Sequence, residues 1–215
     1  MRMLGRTAVV LGLACLVQVP AAHAQLTGFE TFKWYVGAHG GVVIFETPSQ
    51  TRGGIFAAGG DLLVTAKRTG LLISVEEGIE TNQLSSFTDS AGATQQVVFN
   101  DLRKYTLALL AFPLRTIVQP YVGLGVGWLQ TVKEYPQAGG SQSQAERAGS
   151  TGFGTLIGGV QARVSRFIVF GQYQLTSAAA ANKLFIGPTH TLTAGMRFSL
   201  GNAREGVEGR GSGPD

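Results

Sequence analysis

The sequence predicts an all-β fold, an eight-stranded antiparallel up-and-down transmembrane β-barrel. Three observations carry that expectation. The chain opens with an export signal, yet the remainder is poor in charge and lacks the run of roughly 18 apolar residues that a spanning helix needs. Segment after segment alternates with period two, the signature of strands rather than helices. The links between those segments are alternately short and long, which sorts them to two ends. Only helices and closed barrels satisfy the backbone in lipid, so an exported, weakly charged chain without spanning helices points to the barrel.

The first 24 residues read as a signal peptide. Arg2 and Arg6 make a basic start, residues 8–17 an apolar run, and Ala22-His23-Ala24 a cleavage site before Gln25. Cys15 is the only cysteine, and Gly12 stands where a lipoprotein signal wants Leu, so Cys15 reads as an ordinary residue of the signal. The exported chain then has no thiol, and neither a disulfide framework nor a cysteine metal site is expected. Of 17 Lys and Arg, the two signal arginines removed leave 15 against 13 Asp and Glu. Charges so nearly balanced and so scattered exclude a nucleic-acid-binding stripe. Charged residues are 14% of the chain, against about 25% in ordinary soluble domains. The expected layout is signal peptide 1–24, barrel 25–200, and a Gly-rich disordered tail 201–215.

Eight strands are expected near 32–46, 54–67, 70–82, 97–112, 117–132, 151–164, 167–177 and 189–200. The first shows Trp34, Val36, Ala38, Val42 and Ile44 on one face; the second shows Phe56, Ala58, Leu62 and Val64. The fifth contains "PYVGLGVGW", in which Val122, Leu124, Val126 and Trp128 face one way and Tyr121, Gly123, Gly125 and Gly127 the other. The first set is expected to meet lipid. The glycines face a narrow interior, leaving room for long side chains from the opposite wall. The last strand turns Leu192, Ala194, Met196, Phe198 and Leu200 outward, with Thr191, Thr193, Gly195, Arg197 and Ser199 on the other face. The links at 67–70, 113–116 and 165–166 are short; those at 47–53, 82–96, 134–150 and 178–188 are longer, polar and turn-rich. The long ones are expected outside the cell, because outer-membrane barrels keep short turns on the periplasmic side.

On "PYVGLGVGW", on "FGQYQLT" in the seventh strand and on the closing "TAGMRFSL", residues 32–200 resemble the small eight-stranded outer-membrane barrels. That group includes the transmembrane domain of outer-membrane protein A and the opacity-type, porin-like surface proteins. The resemblance implies an outer-membrane location, a monomer, and partners in outer-membrane lipid, the barrel-assembly machinery and a surface ligand for the long loops. It also implies an assembly signal at Thr193, Gly195, Phe198 and Leu200, although the final position is usually aromatic and a short tail comes after it here.

By alternation Lys33, His39, Asp61, Lys67, Glu76, Glu80, Lys104, Gln161, Arg163, Gln172 and Arg197 point inward. Buried charge must be paired, so a charge network of Asp61, Glu76, Glu80, Lys104, Arg163 and Arg197 is expected to fill the lumen, with Glu76 and Glu80 held by Lys104 and Arg163. The alternative use of the same residues is a narrow pore for small solutes. Glu77, adjacent to Glu76, must face out. Either a bulge at Gly78 resets the alternation, or Glu77 stands above the lipid beside Arg103. His190 invites comparison with lipid-modifying barrels, but "THT" offers no serine nucleophile and no nearby acid, so no enzyme is expected. The glycine patterns lie inside strands and make no phosphate loop. Asp89, Glu134 and Glu146 are too dispersed for a calcium site, and no cofactor is expected.

Overall fold

The computed structural model describes residues 31–79, 83–89, 91–114, 116–136, 141–179 and 183–204. The expected signal peptide, Glu80 and residues 205–215 lie outside the described residues. The strand segments are β1 (Thr31–Thr47), β2 (Gln50–Ala66), β3 (Thr69–Gly78), β4 (Gln83–Thr88), β5 (Thr94–Ala111), β6 (Val118–Pro136), β7 (Ser150–Val164), β8 (Phe167–Thr176) and β9 (Ile186–Arg204). A short helix, α1 (Gln142–Ala148), lies between β6 and β7. All strand pairs are antiparallel neighbours, and β1 pairs with β9 to close the ring. β3 and β4 lie end to end along β5, from Thr69↔Ala111 to Thr88↔Thr94, so together they make one interrupted stave. The barrel therefore has the eight staves that the period-two pattern predicts.

The outer face is apolar. Val122, Leu124, Val126 and Trp128 are 49–68% exposed, whereas Tyr121 on the same strand is 1% exposed. Ten residue steps from Val118 to Trp128, at about 3.4 Å each and tilted about 40°, rise roughly 26 Å, the height of a lipid-facing band. Trp34, Phe167 and Phe198 ring the short-turn end, and Phe56, Tyr105, Trp128 and Tyr173 the other. These are the interfacial girdles of a membrane barrel. Glu77 pairs with Arg103 in an unbroken register, two rungs beyond Val75 and Tyr105, with 2.9 Å between Arg103 Nη2 and Glu77 Oε1. No bulge forms at Gly78; Glu77 stands at the edge of the band with a cation beside it.

The long-link end differs from expectation. β1 and β2 run on past the band and are joined only by Pro48 and Ser49 between Thr47 and Gln50. β4 pairs with the start of β5 in a hairpin where loose polar chain was expected. The hairpins extend because their inner faces are apolar. Phe45, Phe87, Val97, Phe99, Leu184 and Phe185 are all buried in one cluster, with Ala145 and Ala148 of α1 beneath the same roof. Phe185 stacks edge-on against Phe45 at 5.4 Å and Phe99 at 5.7 Å. Leu184 and Phe185 were the apolar signal inside a link otherwise polar. Bonds from Ser85 Oγ to Leu184 O (2.7 Å) and from Leu184 N to Ala148 O (3.1 Å) pin them down. At the other end of the chain, β9 continues to Arg204, so residues 201–204 pair with β1 where the tail was expected to begin.

A second apolar cluster, including Tyr35, Leu63, Leu72, Leu110, Phe112, Tyr121 and Ile157, fills the barrel toward the short turns. Along β1 the inner sequence is Tyr35, then His39, then Val43 and Phe45; along β5 it is Leu110, then Thr106 and Lys104, then Leu102 and Phe99. A polar layer is thus held between two apolar ones.

Candidate functional site in the barrel lumen

The polar layer is a chain of side chains running across the lumen. β9 supplies Arg197, β2 Asp61, β1 His39, β3 Glu76 and β5 Lys104. Arg197 grips Asp61 with both arms of its fork, Nε to Oδ1 at 2.7 Å and Nη2 to Oδ2 at 3.2 Å. His39 comes next, Nδ1 lying 3.3 Å from Asp61 Oδ2 and Nε2 3.2 Å from Glu76 Oε1. Glu76 ends on Lys104, whose ammonium also donates to Gln174 Oε1 (3.0 Å) and Thr191 Oγ1 (2.8 Å). Gln174 then donates to Thr106 Oγ1 at 3.3 Å, continuing the network around the wall. Each side chain in the ion pairs is 0–3% exposed. Two acids and two bases flank the histidine, which is the balance that makes a buried charge cluster tolerable.

The walls are shaped for this chain. The Arg197 guanidinium lies 3.6 Å from the centre of the Phe170 ring, close enough for a cation–π contact. A Cβ on Gly37 would come within 2.6 Å of Arg197 Cγ and 2.9 Å of Asp61 Oδ1, so only glycine admits the pair. Gly59 does the same for His39, whose Nε2 would be 2.9 Å from an added Cβ.

Of the residues expected in the network, Asp61, Glu76, Lys104 and Arg197 are brought together. Arg163 is not. It is exposed at the short-turn mouth and donates from Nη2 to Tyr35 OH at 2.9 Å. The room left by Gly123 and Gly127 is taken by Leu110 and Phe153 of the adjacent strands rather than by Arg163. Lys104 stands opposite Glu76 because β3 and β5 pair in unbroken register from Thr69↔Ala111 to Gly78↔Leu102. His39 was legible as an inward residue, but its place as the link between both carboxylates was not. In the closing strand Thr193 faces inward, Phe198 and Leu200 face outward, and Gly195 admits the His39 backbone, since an added Cβ would lie 2.6 Å from His39 Cβ. His190 is hydrogen-bonded through Nδ1 to Tyr173 OH at 2.6 Å on the outer surface.

No protein-family model matches the chain, and no curated protein matches it by sequence. Among solved structures it is similar to Neisserial surface protein A, with a TM-score of 0.55 and 13% identity over 77% of this chain and 96% of that one. The chain has the fold of the small eight-stranded outer-membrane barrels. Two Pseudomonas aeruginosa structures match less closely. The N-terminal barrel domain of OprF gives a TM-score of 0.44 at 10% identity, covering 77% of this chain and 97% of that one. The outer membrane protein OprG gives 0.41 at 11%, covering 80% and 97%. Within this barrel fold the lumen of the chain is built on the Arg197–Asp61–His39–Glu76–Lys104 series.

Proposed function

We propose that this protein is a sealed barrel of the bacterial outer membrane. In this reading it serves as a structural and surface-contact element rather than a conduit or a catalyst. The observation that supports the reading best is the buried charge chain held between two apolar layers. An ion crossing the lumen would have to separate pairs that are 0–3% exposed and pass both the Phe45–Phe99–Phe185 cluster and the Tyr35–Tyr121 cluster. Separating such a pair in a dry site costs about 3–5 kcal/mol, a high barrier to passive flow. The signal peptide and the fold favour the outer membrane. The outer hairpins and α1 are the natural contact surface, since loops on a rigid scaffold are where binding resides. His190 bonded to Tyr173 on the outer wall lacks the nucleophile-and-acid arrangement that hydrolysis needs. Refolded protein in liposomes is expected to give no solute-dependent swelling and no unitary conductance steps in planar bilayers. Reproducible wild-type steps would replace the sealed scaffold with the narrow-pore reading.

A further inference from the structure

The short-turn mouth holds a pocket of about 370 Å³, distinct from the charge chain above it. Three of its lining residues are cationic, Lys33, Lys67 and Arg163, and among the described residues that line it there is no carboxylate. Its walls also carry the aromatic faces of Tyr35 and Phe112 and the paired amides of Gln119 and Gln161. Gln161 is 4% exposed; its Nε2 donates to Gln119 Oε1 at 3.1 Å, while its own Oε1 has no hydrogen-bond partner. A buried carbonyl oxygen without a donor is costly, and such a group asks for an explanation. A cavity of this size with an apolar wall and a few convergent polar groups has the form of a small-molecule site.

We infer that this mouth binds a small anion that carries its own hydrogen-bond donor, of the class of an N-acylated amino acid or short peptide with a free carboxylate. Its acidic group sits between Lys33 and Arg163, where the local field is positive and low-dielectric walls strengthen it. Its amide N–H supplies the donor that Gln161 Oε1 lacks, and its apolar side chain lies against Tyr35 and Phe112. Sulfate, which carries no proton at neutral pH, satisfies only the first requirement. Binding here is independent of whether the lumen conducts, because the pocket opens below the polar layer.

The test uses the refolded barrel in a zwitterionic detergent, with N-acetyl-alanyl-alanine, its C-terminal amide and sulfate as probes in calorimetric titrations. The peptide acid is expected to bind saturably, the amide at least about tenfold more weakly, with affinity falling as salt rises from about 50 to about 200 mM. Lys33→Gln with Arg163→Gln is expected to weaken the acid by about tenfold or more. Gln161→Met is expected to weaken the peptide acid several-fold while leaving sulfate unchanged, a difference that a purely electrostatic patch would not produce. Heat-modifiable gel migration checks that each variant is folded. Equal binding of acid and amide, absence of saturation, or a Gln161→Met loss equal for peptide and sulfate would each overturn the inference.

Discussion

Two neighbouring ion pairs on β3 and β5 make a controlled comparison. Glu76 and Lys104 face inward on one rung; Glu77 and Arg103 face outward on the next. The inner side chains are 3% and 2% exposed, the outer ones 42% and 38%. At contact distance of about 4 Å and an effective dielectric near 20, a pair of unit charges attracts by about 4 kcal/mol. Removing one partner leaves the other buried and unpaired, for an expected loss of about 3–5 kcal/mol. Glu76→Gln and Lys104→Met nearly preserve shape, so the loss reports charge rather than a cavity. Lys104→Met also leaves Gln174 and Thr191 without their donor, which places it at the upper end of that range. Because the double variant carries no orphaned charge at this pair, it should be far less damaged than the sum of the singles. A coupling of about 2–3 kcal/mol is expected. The outer pair, treated identically with Glu77→Gln and Arg103→Met, should lose about 1 kcal/mol or less and show coupling near 0.5 kcal/mol. Urea titrations in lipid vesicles read both cycles through the fluorescence of Trp34 and Trp128, which lie on the lipid face. Inner coupling no larger than outer coupling would mean a wet lumen, and the sealed barrel would have to be given up.

Other parts of the structure give further expected outcomes. Gly37→Ala drives a Cβ against Arg197 Cγ at 2.6 Å and Met196 O at 2.9 Å, so a loss of about 1–3 kcal/mol is expected by urea titration; Gly158→Ala meets nothing within 4 Å and should be neutral. Phe185→Ala removes a 2%-exposed ring from the outer cluster and should cost about 3–5 kcal/mol, accompanied by faster proteolysis near α1. At the tip of the β4–β5 hairpin, the Gln95 side-chain amide and the Ala93 and Ala91 backbone amides hold the Asp89 carboxyl below its ordinary value. Its folded value is depressed, so this support is complete above the ordinary carboxylate range and is lost as pH falls through the depressed value; amide exchange at Ala91 and Ala93 should quicken there, and Asp89→Asn should remove the pH dependence. A cysteine placed at Ala91 should be labelled on intact cells by an impermeant reagent, and one at Arg68 only after the membrane is opened; the reverse pattern would invert the orientation.

Local spacing was enough to say which face each residue takes. Side chains alternate along a strand whatever lies beside it, so Val122, Leu124 and Trp128 were readable as outward and Glu76, Lys104 and Arg197 as inward. The alternation of short and long links likewise placed the staves antiparallel and on two ends. Which residues meet was settled only when the ring closed. His39 joins Asp61 and Glu76, 22 and 37 residues further along the chain, only because three strands are in register at that height. That register depends on the two-residue turns at Pro48–Ser49 and at Lys67–Arg68, and a shift of one residue would turn every side chain to the opposite face. The outer cluster was hidden for the same reason. Leu184 and Phe185 look like two apolar residues in a polar link until closure brings Phe45, Phe99 and α1 around them. Periodicity is a property of one strand, whereas a filled lumen belongs to all eight staves at once.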